Sequence, residues 1–298
     1  MSSGRSRNII MMVVDCLRAD HLSCYGYEGN ATPNIDKLAA AGCMYRNAYS
    51  MGSNTPASYP HILSEYLLLN LRRRGYASVL IHSNINLALA RLPLMEIDLY
   101  RKDWGKGHSV GHRSRLRRLF SLFTEGVFDP YRRADLVNRA ALRTMEELRE
   151  PFFLCLWYMD VHMPYIPPRG RSPLEALRVF MINRRLRKAA LSRDYSKIRK
   201  DDPAELMKLY DGEISYFDAH LGDFIDRISD LDDTCLILTA DHGEEFMEAG
   251  DLGHQNKDIP SLRHIPFIIQ HPGMSPRVVD EPFYMSDLDR TILDLAAD

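Results

Sequence analysis

Continuous runs of apolar residues alternate along this chain with segments of helical periodicity. The first run, residues 9–14, contains no polar residue, which is typical of a strand covered on both faces in a parallel sheet. Similar runs predict further strands at residues 77–81, 152–159, 234–239 and 265–269.

Helical patterns fill the intervals between these runs. They predict helices at residues 34–41, 65–74, 133–149 and 203–229, the first introduced by Thr32 as N-cap and Pro33 in the first turn. Because strand and helix alternate, the sequence predicts an α/β fold with a doubly wound, mostly parallel sheet and helices on both faces.

Two basic segments fit this alternation less well. Residues 101–132 and 167–202 are rich in Arg and Lys with weak periodicity, and they predict helical insertions or loops above the sheet of a single domain spanning residues 1–298. Their charges either lie on ordinary solvated helix faces or form a basic rim that attracts an anionic substrate.

The overall charge and the cysteines exclude several classes of protein. A net charge of −2 gives no reason to expect nucleic acid or an anionic membrane as a partner. The five cysteines form no CxxC pair, which argues against a disulfide framework or a zinc cluster. No run resembles a secretory signal or reaches membrane-spanning length, so we expect a cytoplasmic protein, and its oligomeric state stays open.

Polar residues follow three of the predicted strands directly. They are Asp15, Asp160 with His162, and Asp241 with His242. A single Asp in such a place is commonly a helix cap or turn former, but functional groups of parallel sheets gather at the carboxyl ends of the strands. Carboxylate and imidazole ligands predict a divalent metal site, with zinc or manganese ahead of calcium or magnesium and one or two ions per chain.

The segment 53–60 supplies hydroxyl groups where a loop turns into a helix. Pro56 suits a first helical turn, which puts Thr55 near the N-cap. Free backbone NH groups there favour a tetrahedral anion, and a bound cation would make the Thr55 hydroxyl easier to ionise. Thr55 is therefore a candidate nucleophile; the alternatives are an ordinary N-cap threonine, or Ser53 or Ser58 as the nucleophile.

Five sequence motifs, in order, resemble those of the sulfatase family within the alkaline phosphatase superfamily, and they cover most of the chain. They are VDCLRADHLSCYG at 14–26, ATPNIDKLAAAG at 31–42, YMDVHMPY at 158–165, TADHGEEF at 239–246, and GHQNK at 253–257, the last followed by RHIPFII at 263–269. The resemblance implies an alkaline-phosphatase-like sheet and a metal bound by Asp15, Asp241 and His242 together with Thr55.

The resemblance also assigns roles around the substrate. It implies that His162, His254 and Lys257 contact the transferring group or its leaving oxygen, and that Arg18 braces the nucleophile loop. His162 and His254 could instead help to hold a second metal. Removing a stabilising charge such as that of Lys257 would cost roughly 10² to 10³ in rate.

The chain departs from the family pattern at the nucleophile and at one ligand. Sulfatases convert Cys or Ser of a Cys-x-Pro-x-Arg type sequence to formylglycine, whereas this chain has Thr55-Pro-Ala-Ser-Tyr, which cannot undergo that conversion. Threonine here resembles the phosphodiesterases, phosphonate hydrolases and phospho-head-group transferases of the superfamily. Cys16 stands where many sulfatases have a second metal-binding Asp.

The chain also differs from the family pattern in length. After Ser64 the family runs through a Thr-Gly and a long loop, but Glu65 follows at once here. The sequence ends at Asp298, where many relatives continue into a C-terminal subdomain, so we expect that subdomain to be reduced or absent.

These features predict a metal-dependent hydrolase of a small anionic phosphate ester, either a phosphodiester or a phosphonate monoester, acting through a phospho-threonine intermediate. The alternatives are a sulfate ester hydrolase, a phospho-head-group transferase, or a degenerate binding module without turnover.

Overall fold

A nine-stranded mixed sheet forms the centre of the described part of the chain. The computed structural model describes residues 7–84, 86–87, 92, 94–98, 131–166, 172–196, 198–231 and 233–297. The strands are β1 (Asn8–Val14), β2 (Cys43–Tyr49), β3 (Ala77–His82), β4 (Met95–Asp98), β5 (Phe152–Tyr158), β6 (Thr234–Thr239), β7 (Glu245–Phe246), β8 (Leu252–Gly253), β9 (His264–Gln270), β10 (Arg277–Val279) and β11 (Phe283–Tyr284).

Helices surround this sheet in two packed groups. They are α1 (Pro33–Ala41), α2 (Thr55–Ser58), α3 (Glu65–Arg73), α4 (Ala134–Met145), α5 (Pro173–Ser192), α6 (Asp202–Arg227), α7 (Pro260–Arg263) and α8 (Leu288–Leu295). Both α1 and α4 pack against α6, while α3 packs against α8. The α/β architecture predicted from the alternating pattern is confirmed.

The order of strands across the sheet is β10-β2-β9-β6-β1-β5-β3-β4, with β11 paired to β2. β1 lies between β6 and β5 and is parallel to both, with Val13 opposite Thr239 and Val14 opposite Tyr158. All seven residues of β1 are buried, as the unbroken apolar run predicted. The carboxyl ends of these three strands therefore meet at one edge of the sheet.

One predicted strand runs in the other direction, and six of the described strands, β2, β4, β7, β8, β10 and β11, were not predicted. β9 is antiparallel to both β6 and β2, because the chain returns from β6 through the β7-β8 hairpin and α7 and so re-enters the sheet from the edge it left. β2 carries Arg46 and Asn47 and has partly exposed positions, so it lacks the apolar run that identified its neighbours.

The predicted N-cap of α1 is supplied in a different way. Thr32 occupies the N-cap position, but its hydroxyl bonds Ser23 and Asp36 and does not cap the helix. The carboxylate of Asp218, from α6, instead accepts hydrogen bonds from the backbone NH groups of Asn34 and Ile35 at 3.1 and 2.8 Å. A long-range contact thus satisfies the free NH groups that sequence reasoning assigned to a local cap.

The two basic segments are described only in part. Residues 101–130 and 167–171 lie outside the described residues. In the second segment, α5 begins with a capping box formed by Ser172 and Glu175 and continues for 20 residues. All five cysteines are unpaired, and among the described helices none has the length and apolar character needed to cross a bilayer.

Candidate metal and active site

Four residues from three distant parts of the sequence meet at the carboxyl ends of β1 and β6. Thr55 Oγ1 lies 3.3 Å from Asp15 Oδ2 and 3.4 Å from His242 Nε2. The same imidazole nitrogen lies 3.2 Å from Asp241 Oδ2 and 3.9 Å from Asp15 Oδ1. All four side chains are buried. The structure therefore brings the predicted nucleophile and the three predicted ligands around one point.

The carboxylate of Asp241 is fixed through only one of its oxygens. Its Oδ1 accepts hydrogen bonds from the backbone NH groups of His242 at 2.9 Å and Cys16 at 3.3 Å. Its Oδ2 is buried and has no well-aligned hydrogen-bond donor in the part of the chain that the structure describes. A buried carboxylate oxygen without a donor is costly, and a cation at this point would remove that cost.

Asp15 is held by two residues that sequence analysis did not identify. Asn84 Nδ2 and Trp157 Nε1 donate hydrogen bonds to Asp15 Oδ2 at 2.8 and 3.1 Å. Asn84 lies two residues after the end of β3. The argument that polar residues after buried strands belong to the site, which identified Asp15, would therefore have identified Asn84 as well. Trp157 lies inside β5, where nothing in the local pattern distinguishes it from a core residue.

His242 is oriented by its own turn. Its Nδ1 donates to the carbonyl oxygen of Gly243 at 2.8 Å, which leaves the Nε2 lone pair directed at Thr55 and the carboxylates. Gly243 packs so closely that an added Cβ would lie 2.0 Å from the carbonyl oxygen of Ser261. The glycine therefore allows the turn to lie against α7 and present the imidazole.

Thr55 is the first residue of α2 and does not cap it. The N-cap is Asn54, whose side-chain oxygen accepts from the backbone NH of Ala57 at 3.1 Å. Thr55 thus lies next to the N-cap, as predicted, but is not the capping residue itself, and its hydroxyl is left to face the cluster. Ser58 and Ser53 were the alternative nucleophiles. The Ser58 hydroxyl donates to the carbonyl oxygen of Asn54 at 2.9 Å, and Ser53 is buried in the loop that precedes α2.

The net pKa shifts of the two buried carboxyls are opposite in direction, although burial raises the pKa of both. Burial and repulsion from Asp15 raise the pKa of Asp241 well above its ordinary value. Burial also raises the pKa of Asp15, but the nearby imidazoles of His162, His242 and His254 outweigh it, so the net pKa lies below the ordinary value. The cluster thus has one retained negative charge and one carboxyl that ionises fully only when positive charge is added.

The two other predicted histidines lie on the open side of this cluster. The His254 ring centroid is 4.7 Å from that of His242 and 5.2 Å from that of His162. Glu244 is buried, accepts from Tyr165 Oη at 2.7 Å, and lies 3.1 Å from His254 Nδ1. Burial lowers the pKa of His254, but the Glu244 carboxylate outweighs it and raises the pKa to about 9. Burial together with His254 lowers the pKa of His242 to about 4.

The structure places Arg18 against a different loop from the one predicted. Its guanidinium donates to the Glu244 carbonyl at 3.0 Å and forms ion pairs with Asp20 and Glu248. These contacts brace the turn that follows Asp241. In the described residues, the nucleophile loop is instead tied to that turn by Ser50, whose hydroxyl donates to the Asp241 carbonyl.

Lys257 forms ion pairs with two acidic residues near the site. Its Nζ lies 3.1 Å from Glu245 Oε2 and 2.6 Å from Asp251 Oδ2. No contact with Asp15, Thr55, Asp241 or His242 is present among the described residues. Asp160, also noted from its place after β5, accepts from the backbone NH of Ala134 at 3.0 Å and caps the start of α4.

The residues present fit a divalent cation. Asp15, Asp241 and His242 each offer a ligand atom, and these atoms lie within 4.8 Å of one another. Oxygen and imidazole ligands with a hydroxyl at the open position are a donor set suited to zinc or manganese. The donor-free Asp241 Oδ2 is the structural sign that a positive charge belongs there.

Comparison with known proteins identifies the family. A family model described as Sulfatase matches residues 7–72 and 65–298, and the two matched segments overlap in α3. The match thus extends over almost the whole sequence.

Curated relatives are similar over differing shares of their length. The choline-sulfatase of Rhizobium meliloti (strain 1021) is 27% identical over 172 residues, which are 51% of this chain and 32% of that protein. The arylsulfatase of Clostridium perfringens (strain 13 / Type A) is 23% identical over 376 residues, covering 97% of this chain and 74% of that protein. This chain therefore matches about a third of the first relative and about three quarters of the second.

Among solved structures, the phosphonate monoester hydrolase of Agrobacterium radiobacter has the same fold. It superposes with a TM-score of 0.67 at 18% identity, covering 97% of this chain and 73% of that one. The fold and the family match agree with each other, and the chain belongs to the sulfatase family.

Proposed function

We propose that this chain is a metal-dependent hydrolase of phosphate esters, acting on a phosphodiester or a phosphonate monoester with Thr55 as its nucleophile. The observation that carries the proposal is the direction of the Thr55 hydroxyl, which faces Asp15 Oδ2 at 3.3 Å and His242 Nε2 at 3.4 Å and takes no part in capping its helix. A hydroxyl held between a carboxylate and an imidazole is arranged for nucleophilic attack.

Asp15, Asp241 and His242 would hold the cation beside that hydroxyl. When bound, a divalent cation favours ionisation of the threonine oxygen and offsets charge on the phosphoryl oxygens. Two buried carboxylates are unfavourable without a nearby positive charge, so they favour binding of the cation. The same cation then lies beside Thr55 and favours ionisation of its hydroxyl.

The reaction proceeds in two displacements at phosphorus. Thr55 Oγ1 gives up its proton towards Asp15 and attacks in line, so that an Oγ1–P bond forms while the ester P–O bond breaks. His254 gives a proton to the departing oxygen, since Glu244 keeps its imidazole charged at neutral pH. Water then attacks phosphorus and passes a proton to His254, the Oγ1–P bond breaks, and Asp15 returns its proton to Oγ1, which restores the hydroxyl.

The test is turnover of chromogenic esters by matched hydroxyl variants. On bis(4-nitrophenyl) phosphate with added zinc or manganese, Thr55→Ala should lose turnover by at least about 10³, while Thr55→Ser should keep part of it. Ser58→Ala, which removes a neighbouring hydroxyl bonded within α2, is the control and should remain within a few-fold of wild type. If Thr55→Ala kept most of the activity while Ser58→Ala or Ser53→Ala lost it, the nucleophile would be that serine and not Thr55.

A second candidate, sulfate ester hydrolysis, is favoured by the family match and by relatives that carry sulfatase names. Threonine at position 55 argues against it, because the formylglycine on which sulfatases rely comes from Cys or Ser. Comparing 4-nitrophenyl sulfate with the phosphodiester and an aryl phosphonate, on one enzyme preparation, decides between the two by their ratio of kcat/KM.

A further inference from the structure

The outer face of α5 carries large apolar side chains that the fold leaves exposed. Its inner face packs against β8 and α6 and buries residues such as Val179 and Leu186. On the opposite side, four apolar side chains are between 49% and 78% exposed: Leu174, Leu177, Met181 and Leu191. A single exposed leucine is ordinary, but four such side chains on one helix face form a patch of the kind that contacts another surface.

Two cations complete this face. Positions 174, 177, 181, 184, 188 and 191 lie within about 100° of arc, because each residue advances about 100° around an α-helix. Arg184 and Lys188 occupy two of these positions, and both are exposed. This row of six residues is termed the outer stripe of α5. Along its length of about 25 Å, three apolar residues are followed by the two cations and then by Leu191.

The helix that carries the outer stripe is strongly basic. It contains five basic residues and one acidic residue, Glu175, whose carboxylate is engaged in the capping box at the helix start. Arg178 forms an ion pair with Glu205 at 2.9 Å, away from the middle of the stripe, whereas Arg184 and Lys188 belong to the stripe itself. The net charge of −2 for the whole chain therefore conceals a local excess of positive charge.

Contacts with the rest of the molecule hold α5 in place. The side chain of Asn183 accepts from the backbone NH of Tyr165 and donates to its carbonyl, both at 2.9 Å. The guanidinium of Arg185 donates two hydrogen bonds to the Asp202 carboxylate at 2.8 and 2.5 Å. The outer stripe is thus presented on a preformed helix, so a binding partner does not have to order it.

We propose that the outer stripe of α5 is a docking surface for an anionic lipid bilayer. Leu174, Leu177 and Met181 enter the boundary between headgroups and acyl chains, while Arg184 and Lys188 bind lipid phosphates. Long cationic side chains reach the phosphates while their aliphatic stems stay in the apolar layer. The net charge gave no reason to expect such a partner, because it averages over the whole chain. The proposal goes beyond the proposed function and does not depend on it.

The same pattern of residues disfavours two other occupants. A second copy of this chain, paired stripe to stripe, would bury Arg184 and Lys188 against like charges or against apolar side chains. A nucleic acid would bind the two cations through its phosphates but would offer nothing apolar to Leu174 and Leu177. An anionic bilayer matches both parts of the stripe.

Vesicle sedimentation with the full chain tests the charged part of this surface. Wild type should bind vesicles of phosphatidylglycerol and phosphatidylcholine more tightly than vesicles of phosphatidylcholine alone, with a preference that weakens as salt is raised. Arg184→Gln/Lys188→Gln should lower the affinity for the anionic vesicles by about tenfold or more. Arg72→Gln/Arg73→Gln is the matched control, since it removes two exposed cations at the end of α3, and it should bind as wild type does.

A second set of variants tests the apolar part. Leu177→Ser/Met181→Ser should lower the affinity for both kinds of vesicle, whereas Leu69→Ser, at an exposed position of α3, should not. Leu177→Trp should show more quenching than wild type by lipids brominated in their acyl chains, and Leu69→Trp should not. Because all these positions are exposed, far-ultraviolet circular dichroism and the thermal midpoint should match those of wild type.

Each contrary outcome is distinct. Absence of binding by wild type, or an equal loss in the α3 variants, would overturn the docking surface. Self-association of wild type that Leu177→Ser/Met181→Ser abolishes would assign the stripe to a second copy instead. Tighter binding to a DNA duplex than to vesicles, lost in Arg184→Gln/Lys188→Gln but kept in Leu177→Ser/Met181→Ser, would assign it to nucleic acid. None of these measurements involves turnover, so they succeed or fail independently of the proposed function.

Discussion

The indole of Trp157 donates a 3.1 Å hydrogen bond to Asp15 Oδ2 from within the neighbouring strand. Together with Asn84, this contact fixes one oxygen of the carboxylate and leaves the other for a ligand role. Partners that orient a metal ligand in this way commonly affect affinity as much as stability. The cluster therefore depends on residues that touch neither the ester nor, in our proposal, the ion.

Removal of the Trp157 donor should weaken metal binding. Trp157→Phe keeps an aromatic ring in the core but removes one of the donors that fix Asp15 Oδ2, and we expect zinc affinity to fall by about 10-fold to 100-fold. Competition with a chromogenic chelator measures it. Tyr158→Phe is the control, because it removes a neighbouring hydroxyl that donates to Asn138 at 2.7 Å, away from the site, and should leave affinity unchanged. Equal affinity in Trp157→Phe and wild type would count against this role.

Asp241 should make the metal-free protein less stable as pH rises. Burial and the charge of Asp15 raise the pKa of Asp241 well above 3.8, so the folded state holds a proton that the unfolded state has lost. The contribution of Asp241 to the free energy of unfolding is then largest below pH 3.8 and decreases as pH rises through 3.8 towards the raised value. Asp241→Asn removes this slope.

Urea unfolding in chelator at a series of pH values measures the effect. Asp241→Asn should be more stable than wild type near neutrality and should lose that advantage at acid pH, while the exposed Asp201→Asn should follow wild type throughout. A constant difference between Asp241→Asn and wild type at every pH would contradict the assignment.

Glu244 should control the titration of His254. The pair keeps the pKa of His254 raised from 6.5 to about 9, so its contribution to stability is complete below 6.5 and is lost as pH rises through about 9. Glu244→Gln should move the His254 midpoint to lower pH, as followed by NMR of the imidazole protons in metal-free protein. Glu245→Gln, whose carboxylate pairs with Lys257, is the matched control and should leave the midpoint in place. An unmoved midpoint in Glu244→Gln would mean that the other nearby carboxylates, Asp15 and Asp241, keep the pKa of His254 raised without Glu244.

Lys257 should matter less to catalysis than its motif implies. Glu245 and Asp251 already neutralise its ammonium at 3.1 and 2.6 Å, which leaves less charge for a substrate. We expect Lys257→Ala to lower kcat/KM by less than about tenfold, against roughly 10² to 10³ for a lost electrostatic stabiliser. The exposed Arg290→Ala is a suitable control for surface charge. A loss in that larger range would instead indicate that Lys257 contacts the substrate.

Much of the fold could be predicted because buried parallel strands leave a strong signal. The five apolar runs all became strands, and the helical patterns between them became helices with ends shifted by a few residues. β2 was not predicted, because its polar residues interrupt the apolar pattern that would indicate a strand paired with β9. The direction of β9 was not predicted either, because it depends on the path of the chain between β6 and β9.

The site divides in a similar way. Asp15, Asp241 and His242 were recognisable because polar residues after buried strands stand out, and Thr55 was recognisable because Pro56 marks a helix start. Trp157 and Glu244 were not, because a tryptophan in a strand and a glutamate in an acidic run have no local sign of their partners. The contacts of Arg18 and Lys257 depended on which loops fold back towards them.

The sequence by itself determined the class of fold, the edge of the sheet at which the chemistry gathers and the family to which the motifs belong, since each is expressed in local patterns or in order along the chain. Only the tertiary structure decided that Thr55 faces Asp15 and His242, that Asn84 and Trp157 hold one oxygen of Asp15, and that Cys16 and His162 approach the other side. Those relationships join residues from separate strands, and only the register of the sheet and the packing of its loops fix the distances between them.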